Sequence, residues 1–574
     1  MQKRWLIKKE LEKEESLSLS KKLNLSPILI QLLYNRNIPE DKVEEFFHPS
    51  LKDLHNPFLM KGMRAATQRI MEAISHQEKI LIYGDYDVDG ITATSLLLLF
   101  LREVGIPGYF YIPQRREEGY GLNNKAVEKI AREEIDLVIT CDCGISSVKE
   151  IEYAKTLGLE VIVTDHHQIK ESLPPSLATI NPHQSDCSYP FKELAGVGVA
   201  FKLVQALACE IPQKNINIQK YLDLVAMGTI ADAEPLRDEN RVIVKLGLQR
   251  LGKTSNIGLR ALINVANLSG RKVEENNVGF ILAPRLNACG RLSLAKKGVK
   301  LLLSTSPEEA FDLAEALDKE NRKRQKMGER MCKEAEELLL KREEERVIIL
   351  SKKGWHKGVI GLVASYIREK YFRPAIIFSL DNRVAKGSAR SIPKFSIFDA
   401  LKKCEDLLIS FGGHKMAAGM GISVDNIEKL RKRINELATE ALSSEDLVPS
   451  FYIDACVRLD DLNEEFFDKL ECLSPYGKEN PSPLLLARGV SILSPPQTIG
   501  REGLKMVISS EKGGKKFEGI GFGLDNEDRE LGKNSEKIDI VFTPRINRWK
   551  GEKKYQIEIK DWQGEKDGRV IKKD

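Results

Sequence analysis

Three short apolar runs, each ending in carboxylate or imidazole, constrain this chain more than any other feature. The first, Lys79-Ile80-Leu81-Ile82-Tyr83, runs into Gly84-Asp85-Tyr86-Asp87-Val88-Asp89-Gly90. The second, Asp136-Leu137-Val138-Ile139-Thr140-Cys141, ends in Asp142, and the third, Leu159 to Thr164, ends in Asp165-His166-His167. Helix-like stretches separate them, the pattern of a parallel, doubly wound sheet. Open sheets of that kind bind ligands beyond the carboxyl ends of their strands. Residues two apart in an extended chain share a side, so the spacing predicts that Asp85, Asp87 and Asp89 converge. Negative charge at that density is costly without a divalent cation. Asp223, in the apolar, helix-like stretch Tyr221 to Ala226, needs a partner that the same cluster would supply. Mixed Asp and His ligation suits Mn²⁺, and Mg²⁺ less exclusively. So many ligands accommodate two ions about 3.5–4 Å apart, a site for phosphoryl transfer to water.

Two motif-like stretches point elsewhere and fail on physical grounds. Asp-x-Asp-x-Asp-Gly opens a calcium loop of the EF-hand type, but that loop needs Glu at its twelfth position, where this chain has Leu96, and it should follow a helix. Gly247 to Thr254 satisfies the phosphate-loop pattern. Leu246, Leu248 and Leu251 instead form the apolar side of a helix, and no buried strand precedes them.

The 574 residues suffice for several domains. No apolar run approaches the roughly 18 residues of a membrane span. Nine cysteines lie scattered without a Cys-x-x-Cys pair, and Met1 to Trp5 leads into charged sequence rather than an apolar signal core, so a reduced, cytoplasmic setting is expected. A net charge of +5 permits an anionic partner only through a local patch. The expected class is α/β: two α/β domains joined by a long helix, with a C-terminal β-barrel. Residues 1–75 read as a helical scaffold packed on the first α/β domain, which spans 76–306. Residues 307–346 read as a charged connecting helix with the stripe Leu313, Leu317, Met327, Met331 and Leu338. A glycine-rich second α/β domain spans 347–440. The strand-and-turn barrel spans 449–565, and 566–574 reads as a frayed tail. Arg545, Arg548, Trp549, Lys550 and Tyr555 interleave cations with aromatics, a pattern that suits single-stranded nucleic acid.

With Asp85 to Gly90 and Asp165-His166-His167, the chain resembles the DHH phosphoesterase superfamily. Within it, Leu194 to Lys202, Gly228-Thr229-Ile230-Ala231-Asp232 and Pro284 to Arg291 are similar to the RecJ exonucleases. Trp355 to Gly361, Gly387-Ser388-Ala389-Arg390-Ser391 and Gly412-Gly413-His414 resemble the associated DHHA1 domain, and Pro475-Tyr476-Gly477 with Asn480-Pro481 resembles the entry to an OB-fold. The resemblance implies a manganese- or magnesium-dependent exonuclease that digests single-stranded DNA from its 5′ end to 5′-mononucleotides, in recombination and repair. It implies that Asp85 holds one ion, that Asp87, His166 and Asp223 hold the other, and that Asp142 bridges them. His167 would face the scissile phosphate, with Asp89 and Asp165 orienting the ligands. Ser388, Arg390, Gly413 and His414 would hold the 5′-phosphate, joined by Arg285. The glycine pair lets backbone amides approach an anion, or makes a plain tight turn. A helicase and a single-strand-binding protein are the implied partners of a monomer. A catalytically inactive DNA-binding scaffold and a short-oligonucleotide phosphodiesterase are the alternatives; the first conflicts with the complete ligand set, the second with the chain's length. Ala233-Glu234 and His183 depart from the family's pattern, at positions expected to lie away from the metal motifs.

Overall fold

The computed structural model describes residues 3–114, 118–169, 172–211, 214–292, 295–340, 345–494, 496–500, 503–510, 514–522, 537–549, 552–564 and 570–572. The chain forms two compact units. One combines residues 54–234 and 238–448; the other combines 1–53, 235–237 and 449–574.

The larger unit is built on a five-stranded parallel sheet, ordered Gly108–Tyr111, Ile80–Gly84, Leu137–Cys141, Glu160–Thr164, Ala178–Ile180. Its central strands are buried on both faces, which is why they read as continuous apolar runs rather than alternating ones. The register sets Gly84 beside Cys141 and Cys141 beside Thr164. The next residues, Asp85, Asp142 and Asp165, therefore emerge level with one another at the carboxyl edge.

Ile80–Gly84 gives way at once to the helix Val88–Val104, whose Leu96, Leu97, Leu98, Phe100 and Leu101 are buried. Asp87 is its N-cap, accepting from the Gly90 amide at 3.1 Å, and Asp89 lies inside its first turn. The three aspartates thus follow a strand-to-helix turn and not the extended alternation expected of them. The stretch that mimics a phosphate loop is the helix Asp238–Leu251 and its exit. A Cβ on Gly247 would lie 2.3 Å from the Leu222 carbonyl oxygen, so the glycine is there for close helix packing.

Next to these helices lies a buried ion pair. Lys202 and Glu239 are both fully buried, with Nζ 2.8 Å from Oε1. Lys202 also donates to the His55 carbonyl at 2.6 Å, while Glu239 accepts from the His55 amide and the Tyr189 hydroxyl. Every member is satisfied, the condition under which a buried charge is tolerated.

The connecting helix is observed as Pro307–Leu339, capped by Ser306 accepting from the Glu309 amide. Its packed seam includes Ala310, Ala314 and Ala335 alongside Leu317 and Met331, because small side chains let neighbouring helices approach. The second sheet runs in the order Leu408–His414, Ala417–Ser423, Val384–Arg390, Ala375–Asp381, Ile348–Lys353, and only its last two strands pair in parallel. The helix Ile360–Tyr371 packs on one face, and Ile427–Ala441 packs on the other.

In the smaller unit, seven strands form the barrel, and Leu485–Ile492 pairs with both Ile538–Trp549 and Gly503–Ser509. Leu29, Leu32, Leu33 and Phe47 share the core of that barrel with Phe466, Phe467, Ile540 and Phe542. The N-terminal segment therefore divides: residues 1–53 belong with the barrel, and the chain joins the catalytic sheet's unit only from Leu54. Arg4–Ile7 lies between Ser450–Ile453 and Val570–Lys572, parallel to both, so the expected frayed tail contributes a strand. Among the described residues no helix is long and apolar enough to cross a membrane.

Glu239→Ala leaves the Lys202 ammonium buried without its partner. We expect the larger unit to lose about 3–5 kcal/mol of stability, seen as a lower calorimetric melting temperature, with much of it restored in the double variant Lys202→Met/Glu239→Leu.

Candidate metal centre

Asp85, Asp87 and Asp142 bring one carboxylate oxygen each within 4.8 Å of one another, and Asp89, His166 and Asp232 do the same with carboxylate and imidazole atoms. His166 lies between them. Its Nε2 is 3.1 Å from Asp142 Oδ1, 3.7 Å from Asp232 Oδ2 and 3.8 Å from Asp89 Oδ2. The opposite nitrogen, Nδ1, is 3.6 Å from Glu234 Oε1.

Several of these side chains are held by local chemistry. Asp89 accepts from the backbone amides of Gly196 and Val197 at 2.6 and 2.8 Å, at the N-terminus of the helix Gly196–Glu210, where the helix dipole favours negative charge. A Cβ on Gly196 would lie 2.6 Å from the Asp142 Cβ, so the glycine is required for this approach. Asp142 itself has φ +58°, a left-handed conformation that costs a non-glycine residue about 1–2 kcal/mol. Such strain concentrates at functional sites. Asp165, fully buried, accepts from the amides of Ile145, His166 and His167 and from His167 Nδ1 at 2.7 Å. Burial alone would raise its pKa. The bond from His167 and the amides outweigh that, and it is lowered.

Asp89, Asp142 and Asp232 shift the opposite way. Burial, reinforced by Asp87 and only partly offset by His166, pushes Asp89 up to about 6. Burial and the neighbouring Asp89 push Asp232 up to about 8 and hold Asp142 well above the usual carboxylate range. Burial would lower the pKa of His166, but Asp142, Glu234 and Asp89 raise it well above its ordinary value. The edge collects more negative charge than the His166 imidazole offsets, and protonation becomes easier there. That donor set, oxygen-rich with one imidazole, fits a divalent cation.

Asp223 does not belong to it. The acid stands at the second position of the helix Leu222–Ala231, nine residues before Asp232, about 13 Å away at 1.5 Å per residue. Thr254 and the Leu224 amide supply the partners that the metal cluster was expected to give. The acid beside His166 that the sequence does not single out is Asp232, the last residue of Gly228-Thr229-Ile230-Ala231-Asp232. Glu234, expected to lie apart from the metal motifs, reaches His166. His183 faces the Gln168 amide at 3.2 Å.

His167 is 41% exposed and lies beside the buried ligands. Tyr120, also absent from the sequence reading, donates to the Asp142 carbonyl at 3.0 Å and lies 3.1 Å from His167 Nδ1. Tyr120, Asp165, His167, Gln168 and His414 line one cavity of about 240 Å³. His414, Ala417 and Arg390 form one cross-strand row of the second sheet, spanning about 10 Å at ordinary strand spacing. Ser388 lies two residues from Arg390, on the same face. Arg390 Nη1 is 3.3 Å from Ser388 Oγ, and both approach Gly361 at the start of the helix Ile360–Tyr371. Gly413 is neither a turn nor a free nest: it pairs with Ala418 within a strand at φ +147°, where a Cβ would lie 2.4 Å from the Ala417 carbonyl oxygen. Arg285 does not join this row. It donates to the Ile281 carbonyl and pairs with Asp318 at 2.9 Å, bracing the connecting helix.

The barrel cations are partnered too. Arg548 forms a two-pronged pair with Glu471, Lys553 pairs with Asp468, Tyr555 donates to Glu464, and Arg545 pairs across strands with Glu558. Three of these acids come from the helix Glu464–Leu473, far from the basic run in sequence. The Trp549 side chain and Lys550 lie outside the described residues.

Residues 79–229 match the family model described as DHH family, N-terminal domain; 344–440 match the DHHA1 domain and 453–561 the RecJ OB domain. The single-stranded-DNA-specific exonuclease RecJ of Escherichia coli is 35% identical over 559 residues, covering 93% of this chain and 95% of its own. The chain belongs to the RecJ family. The Bacillus subtilis RecJ is 42% identical over 564 residues, covering 97% of this chain and 70% of its own. The crystal structure of RecJ from Thermus thermophilus in complex with Mn²⁺ superposes with a TM-score of 0.83 at 30% identity, covering 98% of this chain and 79% of that one.

Two outcomes are expected of this RecJ family member. Carboxylates with raised pKa values carry protons below them, and a cation must displace those protons. Mn²⁺ affinity should therefore rise between pH 6 and 8, as Asp89 and then Asp232 ionise, with proton release detectable as a buffer-dependent binding enthalpy. Gly196→Ala should weaken Mn²⁺ binding roughly 10- to 100-fold while far-ultraviolet circular dichroism stays unchanged.

Proposed function

We propose that this chain is a divalent-metal-dependent exonuclease that digests single-stranded DNA from the 5′ end and releases 5′-mononucleotides. The observation that carries this reading is the placement of His414 in one cavity with His167 and Asp165, so that an anion-binding row meets the metal edge. Two ions, Mn²⁺ or Mg²⁺, would be held by Asp85, Asp87 and Asp142 and by Asp89, His166 and Asp232, and they would supply Lewis acidity and neutralise phosphate charge.

The chain's own residues do the rest. Arg390, Ser388 and His414 bind the terminal phosphate, the guanidinium acting as a charged fork. Fixing that end a set distance from the metal edge orients the first phosphodiester and sets both polarity and step size. His167 commits Nδ1 to Asp165, which leaves Nε2 to hold a proton against the reacting phosphate. Tyr120 keeps that ring in place. Single-strand preference makes a helicase that frees 5′ ends and a single-strand-binding protein fitting partners, in a cytoplasmic role in recombination and repair.

Single-stranded DNA labelled at either end, with Mn²⁺, is the decisive substrate. The 5′ label should appear at once as mononucleotide while the 3′-labelled strand shortens gradually. Asp142→Ala should lower the rate at least 1,000-fold, on the order expected for removing a central charge-stabilising group. Tight binding without cleavage under any divalent metal would favour the scaffold alternative, and cleavage confined to very short oligomers the phosphodiesterase one.

A further inference from the structure

Glu234 has no part in that account, yet its carboxylate faces the His166 imidazole, whose other nitrogen sits among the clustered carboxylates. The ring of His166 has two sides. Nε2 looks toward Asp142, Asp232 and Asp89, at 3.1 to 3.8 Å. Nδ1 looks toward Glu234 Oε1 at 3.6 Å. The backbone between Asp232 and Glu234 reverses at Ala233, which has φ +58°. A non-glycine residue enters that conformation at a cost, and here the reversal turns two acidic side chains, two residues apart, onto opposite nitrogens of one ring.

We propose that Glu234 is a positioning residue for the metal centre: it accepts the Nδ1 proton of His166, fixes the Nε2 lone pair toward the cation, and strengthens that nitrogen as a ligand. This rests on the metal-centre reading given above. An imidazole binds a metal as the neutral ring through one nitrogen, so the other must carry the proton. A carboxylate on the protonated nitrogen holds both the tautomer and the ring orientation, and makes the ligand nitrogen more basic. Asp165 cannot serve this purpose for His166, because its oxygens are taken by three backbone amides and by His167. His167 thus has Asp165 as its orienting acid, and His166 has Glu234. The two adjacent histidines are held by different acids, one from the end of their own strand and one from beyond the helix Leu222–Ala231.

The test is calorimetric titration of the DNA-free full-length chain with Mn²⁺, for wild type, Glu234→Val, Glu234→Gln and Asp142→Ala. Glu234→Val should weaken binding roughly 10- to 100-fold without changing the number of ions bound. Glu234→Gln, whose amide oxygen still accepts from Nδ1, should recover part of that loss. In ¹⁵N-histidine-labelled protein loaded with diamagnetic Mg²⁺, the His166 Nδ1–H resonance, assigned with His166→Asn, should lie downfield and exchange slowly in wild type, and move upfield and exchange faster in Glu234→Val. A merely structural role for Glu234 would not move that signature. Wild-type affinity in Glu234→Val overturns the proposal. Loss of one bound ion in both Glu234 variants also overturns it, by making Glu234 a ligand. Undiminished binding in Asp142→Ala would instead overturn the metal-centre reading itself, and the proposal with it.

Discussion

The ladder that sets Gly84, Cys141 and Thr164 level is the constraint on which the rest of this protein depends. It delivers one acid from each of three strands to the same edge. A slip of one residue would turn every side chain of a strand to the opposite face, and in a sheet buried on both sides it would break the core as well as the site. Packing and chemistry are thus specified by the same hydrogen bonds. The cost is a crowd of like charges in a place with little water. A helix N-terminus and backbone amides absorb part of that cost, the left-handed Asp142 adds to it, and the remainder is the driving force for capturing a cation.

Much of this was legible in the sequence because fully buried parallel strands are short, apolar and β-branched, and because their acidic ends break that pattern abruptly. Asp85, Asp87, Asp142, His166 and His167, which the structure brings to one edge, stand out in the sequence for that reason. Asp223 was misread because an acid in an apolar helix shows only that it needs a partner, not which one. The partner was a threonine thirty-one residues later. Asp232 lacked an apolar run ahead of a strand end; it sits where a helix stops, and nothing local marks it as a ligand.

The other local readings share a limit. Arg545, Arg548 and Tyr555 look like an open basic surface when only their own strands are considered. The acids that face Arg548 and Tyr555 lie on the helix Glu464–Leu473, and the one that faces Arg545 lies on the neighbouring strand; both pairings are tertiary facts. Arg285 likewise gives no sign in the sequence that Asp318 stands beside it. Glycine pairs suffer the same ambiguity: Gly412-Gly413 signals that a side chain is unwelcome, and a strand pairing closely with its neighbour satisfies that signal as well as a phosphate does.

The strand Arg4–Ile7 has a consequence for how the chain is made. Its neighbours, Ser450–Ile453 and Val570–Lys572, are separated from it by nearly the whole sequence; one side-chain bond there joins residues 446 apart. At roughly 5–20 residues per second of synthesis, the N-terminal strand waits on the order of a minute at the ribosome before it can pair. The catalytic sheet, whose strands all lie between residues 80 and 180, is complete long before that. A nascent chain of this protein would therefore carry a finished catalytic sheet while Leu29, Leu32, Leu33 and Phe47, whose core is the barrel, are still exposed, and that stretch is where a holding chaperone has most to do.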